Sequence, residues 1–94
     1  MIANVISGRV KADADDQVVR ERLVPVLQKQ PGFQSGYWLR QPNSDEVLAI
    51  TFWEDDDVLR AAMTNAAVTE TTARTSSMFV GGPKIAVYHL VAQG

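Results

Sequence analysis

Four stretches of the chain are apolar with a rough period of two, and two carry apolar positions at helical spacing. Ile2 to Lys11 alternates loosely and holds β-branched residues, which predicts a first strand. ADADD follows, with Asp13 placed to cap a helix and Asp16 three residues on as its partner. Val19, Leu23, Val26 and Leu27 then share one helical face. Pro25 interrupts that face and removes the bond to the Glu21 carbonyl, so a kink is expected there. Pro31-Gly32 ends the helix.

Phe33 to Gln41 and Glu46 to Glu54 read as strands joined by the turn cluster Pro42-Asn43-Ser44-Asp45, which predicts an antiparallel hairpin. Asp56 to Ala67 is helical, with Val58, Leu59, Ala62, Met63 and Ala66 on one face. Val68 to Ser77 is Thr-rich and reads as a short helix or an ordered lid. Met78 to Pro83 is a loop broken by Gly-Gly-Pro, whose glycines can serve as a lid hinge or as a plain turn, and Lys84 to Val91 is the last strand. The order β-α-β-β-α-(α)-β is the split βαβ, ferredoxin-like pattern. It predicts an α+β fold, a four-stranded antiparallel sheet with helices on one face, formed as a single domain over residues 1–94.

Both faces of the later strands are apolar. Leu48, Ile50 and Phe52 oppose Val47, Ala49, Thr51 and Trp53, and in the last strand Ile85, Val87, His89 and Val91 oppose Ala86, Tyr88 and Leu90. A sheet wetted on one side shows a cleaner alternation than this. The helices of the chain cover one face, so a second copy is the expected cover for the other. Size points the same way. A chain of 94 residues buries only roughly 60–65% of its unfolded surface and needs a supplement. Cysteine is absent and histidine occurs once, which excludes disulfides, thiolate metal sites and a multi-histidine zinc site. A homodimer is the supplement that remains.

Nine Lys and Arg against eleven Asp and Glu give a net charge of −2 with no basic stripe, against nucleic-acid binding. No signal-peptide pattern and no apolar run of membrane-spanning length occurs, so the expectation is a cytoplasmic protein without membrane contact.

The run Glu54-Asp55-Asp56-Asp57 invites a hard-cation or paired-carboxylate reading. The plainer account is a helix start. Asp55 caps, Asp56 and Asp57 fill the first turn, and consecutive helical side chains do not converge on one ion. Trp53 is either a core aromatic or a flat wall whose indole N–H is a donor. His89, the one imidazole in the chain, is either a satisfied histidine or a base for a phenol. Arg74 is either solvated or a cation for a phenolate or peroxide. Tyr37, Trp38 and Tyr88 are sheet aromatics available to a pocket or a dimer seam. No phosphate-binding glycine motif and no Ser/His/Asp or Cys/His nucleophile pattern is present.

PGFQSGYWLR at 31–40 followed by EVLAITFWEDDDVLRAAM at 46–63 resembles the antibiotic biosynthesis monooxygenase family of dimeric α+β barrels, over roughly residues 2–91. The resemblance implies a homodimer with a pocket in each protomer between sheet and helices. It implies a monooxygenase that oxidises a small or polycyclic phenol to a quinone with dioxygen and no cofactor. Pockets of that branch combine aromatic, Asn and Arg side chains. On that basis Trp53, Arg74 and His89 are the candidate catalytic residues, and Asn4, Tyr37 and Trp38 the candidate substrate contacts. The family's haem-degrading branch carries a Trp in its second helix and a His in the next. Here Ala61-Ala62-Met63 stands in that helix and no His precedes residue 89, which disfavours that chemistry. A non-catalytic binding or stress-related homodimer, and an isomerase or lyase on the same fold, are the alternatives.

Overall fold

A computed structural model describes all residues 1–94. Strands β1 (Ile2–Arg9), β2 (Phe33–Arg40), β3 (Glu46–Trp53) and β4 (Lys84–His89) form one antiparallel sheet in the order β2-β3-β1-β4. Helix α1 covers residues 16–28, and α2 (Asp56–Thr64) and α3 (Ala66–Ser76) follow β3. This is the α+β, ferredoxin-like arrangement that the element order predicts.

Local chemistry accounts for the elements and for three departures from expectation. Asp15, not Asp13, caps α1, accepting from the Gln17 N–H at 2.9 Å. Pro25 does not simply kink α1. Val19–Leu23 is a π-turn, closed by the Val24 N–H on the Val19 carbonyl, and a fresh α-turn begins at Val24 with Pro25 in its first positions. There the missing N–H has no helical partner to lose, so the extra residue of the π-turn absorbs the proline.

The break between the two helices falls at Asn65, earlier than the boundary after Ala67 that the sequence suggests. Asn65 leaves helical backbone and caps α3, accepting from the Ala67 and Val68 N–H groups at 3.0 and 3.3 Å. The Thr-rich stretch is helical because its hydroxyls turn inward to the backbone. Thr69, Thr71, Thr72 and Thr75 each donate to a carbonyl three or four residues back. Asp55 caps α2 as expected, accepting from the Val58 N–H at 3.0 Å.

Directly paired residues share a sheet face. Ile2, Trp53 and His89 lie on the helix side, as do Asn4, Thr51 and Val87, then Ile6, Ala49 and Ile85. The core is Ile2, Leu23, Leu27, Trp53, Leu59, Ala62 and Val68. Gly32 closes the α1–β2 link at φ +80°, and a Cβ there would stand 2.5 Å from Val58. The other face carries Val5, Tyr37, Leu39, Leu48, Ile50, Phe52 and Tyr88 with no helix over it. No helix is long and apolar enough to cross a membrane.

Candidate functional site

A mostly apolar cavity of about 340 Å³ lies between the helix side of the sheet and α1. Its volume is within the range of small-molecule sites. Ile6, Trp38, Val47 and Ala49 line it from the sheet, and Val19, Leu23 and Val24 from α1, all three at or beside the π-turn. Thr75, Met78 and Phe79 line it from the end of α3 and the loop beyond. That loop is fastened to the end of β1: the Lys11 N–H donates to the Met78 carbonyl and the Val80 N–H to the Arg9 carbonyl, each at 2.7 Å. A bridge between Val10 and Phe79 completes the fastening.

Polar side chains on the lining are Asp15, Asp16, Arg20, Arg40 and Thr75. Arg40 on β2 is ion-paired with Asp16 at the start of α1 at 2.8 Å. Arg20 makes no ion pair or side-chain hydrogen bond. A wider depression of about 750 Å³, among Ser7, Arg9, Arg40, Glu46 and Lys84, is open to solvent and charged, so it cannot keep a substrate dry.

Of the residues nominated from sequence, the structure places Trp38 on the cavity. Trp53 is completely buried in the core. Its indole N–H donates to Thr51 Oγ1 at 3.0 Å, and its ring meets Phe33 edge-on at 5.2 Å. Trp53 lines no part of the cavity, because Leu27, Leu59 and Val68 pack with it in the core, whereas Trp38 is on the lining. Arg74 is exposed in the last turn of α3, and His89 is exposed at the end of β4; neither lines the cavity. Tyr37 lies on the opposite face, 55% exposed, edge-on to Phe52. Asn4 is 7% exposed on the helix side, two residues before Ile6 on the same face, and does not line the cavity. The three nominated catalytic side chains do not converge.

Sequence reasoning passed over Phe79, Met78, Arg20 and Arg40. An available signal was Arg40 two residues beyond Trp38 on the same strand face, where it ends an aromatic run with a charge. The acidic run offers no metal centre: no group of three or more His, Cys, Asp or Glu side chains could hold an ion.

The fold has close counterparts among solved structures. SnoaB, a cofactor-independent oxygenase from Streptomyces nogalater, superposes with a TM-score of 0.84 at 20% identity, over 98% of this chain and 94% of that one. A conserved protein from Methanosarcina mazei Go1 gives 0.81 at 17% identity, over 93% and 89%. Rv0793 from Mycobacterium tuberculosis gives 0.80 at 10% identity, over 98% and 96%. No curated protein matches the chain in sequence. At these identities the superpositions speak for the fold alone. The family profile described as antibiotic biosynthesis monooxygenase matches residues 1–74. With that match over most of its length, the chain belongs to the antibiotic biosynthesis monooxygenase family.

Proposed function

We propose that the protein is a cofactor-independent monooxygenase that oxidises a small or polycyclic phenol to a quinone in the cavity between sheet and helices. The observation that carries this is the cavity itself: apolar, of small-molecule size, and walled by Trp38 and Phe79 in a chain of this family. An apolar cavity desolvates an aromatic ligand, and two ring walls favour a flat one.

The chemistry asked of the protein is modest. A deprotonated, electron-rich phenol such as that of an anthrone itself passes electrons to dioxygen. One oxygen atom enters the ring carbon as the new carbonyl and the other leaves as water. The protein's part is to exclude bulk water, hold the ring and stabilise the anion. Arg20 is the cation on the lining that makes no ion pair. Arg74 and His89 act only if the solvated segments that carry them close over the ligand.

The active form on this reading is a homodimer joined through the uncovered sheet face. Only 11 of 94 residues are buried in one chain, a thin core that the apolar face of a second copy supplements.

Oxygen uptake by metal-free protein with an anthrone, with one quinone formed per dioxygen consumed, is the expected result. Uptake no faster than the substrate's own autoxidation overturns the oxygenase reading. A second reading, a homodimer that binds aromatics without turning them over, is favoured by one observation: no histidine and no unpaired carboxylate other than the cap Asp15 lines the cavity. Aromatic binding by calorimetry without uptake selects it.

A further inference from the structure

Glycine in a strand interior weakens the strand, so Gly36 in β2 calls for a reason. Its backbone supplies none, since the positive-φ glycines are Gly32, Gly81 and Gly82. The reason is its neighbour. A Cβ on Gly36 would stand 2.6 Å from Cη2 and 2.8 Å from Cζ3 of Trp38, and 3.3 Å from Cζ of Phe33. The indole therefore leans back along β2 into the space that a side chain at 36 would fill. On the Phe33 side there is no room to retreat, because Phe33 is packed edge-on against the buried Trp53. The free space beside Trp38 is the cavity.

We propose that Gly36 is a positioning residue that sets the length of aromatic ligand the cavity admits, by letting Trp38 stand back from it. Any side chain at 36 drives the indole into the cavity and shortens it. The other ring wall is seated in the same way. A Cβ on Gly8 would stand 2.7 Å from Cδ1 of Phe79, so both aromatic walls rest on glycines of the sheet. The inference rests on the proposed function only in taking the ligand to be aromatic, and it requires no turnover.

The experiment is Gly36→Ala, with anthrone and 1-naphthol as three-ring and two-ring probes and calorimetry as the readout. Anthrone affinity is expected to fall about tenfold or more and 1-naphthol affinity by less than about twofold, the scale of a methylene-sized intrusion into an apolar pocket. The double variant Gly36→Ala/Trp38→Phe removes the colliding ring atoms and should restore anthrone binding. Equal losses for both probes, or no rescue, overturn the proposal. In 5-fluorotryptophan-labelled protein without ligand, Gly36→Ala should move the ¹⁹F resonance of Trp38 more than that of Trp53. An unmoved Trp38 signal also overturns it. Failure of the wild-type protein to bind either probe counts against the proposed function, and the ¹⁹F result then decides the role of Gly36 by itself.

Discussion

Trp53 donates its indole N–H to the Thr51 hydroxyl across 3.0 Å, two residues back on the same strand, and no part of it reaches solvent. Its partners across the strands are Ile2 and Phe33, both of the core layer. Trp53→Phe removes the donor and part of the ring volume, and Thr51→Val leaves the donor buried and unpaired. Each is expected to cost about 1–3 kcal/mol of stability by urea denaturation. Binding of an aromatic probe to the folded Trp53→Phe variant should stay within about twofold of wild type, a shift well under 1 kcal/mol. A large loss of binding with stability unchanged would return Trp53 to the site.

The four carboxylates after Trp53 divide by position. Asp55 accepts from the Val58 N–H, whereas Asp56 and Asp57 lie in the first turn and pair with Arg60 at 2.7 and 3.0 Å on an exposed surface. Asp55→Ala should lower stability by about 0.5–2 kcal/mol, the range for a lost cap. Asp57→Ala should cost a few tenths at most, since exposed pairs contribute little. Thermal melts of the two variants beside wild type check the order, and equal effects would contradict it.

Arg9 grips Asp45 with both arms, Nε to Oδ1 and Nη2 to Oδ2, each at 3.1 Å, tying the end of β1 to the turn before β3. That hydrogen bond, with the attraction of the guanidinium, holds the Asp45 carboxyl below its usual 3.8 against a smaller opposing effect of desolvation. A carboxyl whose folded value lies below its unfolded one stabilises the fold above the unfolded value. The contribution disappears as pH falls through the folded value. Both groups are exposed, so the effect is small. Asp45→Asn should therefore lower the urea midpoint slightly at pH 7, and the difference should shrink as pH falls below the ordinary carboxylate range. A difference that grows in acid would contradict the sign.

The strands were legible because apolar runs with a rough period of two lie between turn clusters, and Asp55 because a cap is a local bond. Other features were not, for physical reasons. The π-turn at 19–23 inserts one residue into a helix without changing its composition, and its sole trace is Pro25 downstream. The break at Asn65 hides among alanines that suit either helix. The cavity draws side chains from β1, β2, β3, α1 and the loop at 78–79, and that convergence is a product of topology that no single stretch announces. Trp38 and Trp53 share a sheet face, and sequence could not say which of them the helices would seal. Leu27, Leu59 and Val68 close over Trp53 and leave Trp38 at the edge of the space beside α1.

The uncovered sheet face makes the last prediction. Tyr37 and Tyr88 lie on it at 55% and 58% exposure, flanking the half-buried Val5, Leu48, Ile50 and Phe52. Neither tyrosine lines the cavity, and a charge at either position stays in water in a single chain. In a homodimer joined through this face the same charge is buried without a partner, which costs several kcal/mol and is made twice by symmetry. Light scattering should give roughly twice the chain mass for wild type at micromolar concentration. Tyr37→Asp and Tyr88→Asp should give a folded single chain or a dimer dissociating at much higher concentration. The thin core predicts a second effect. Stability of wild type should rise with protein concentration, because two chains fold as one unit, whereas that of the Asp variants should not. A wild-type monomer, or a dimer indifferent to both substitutions, would mean that something other than this face completes the fold.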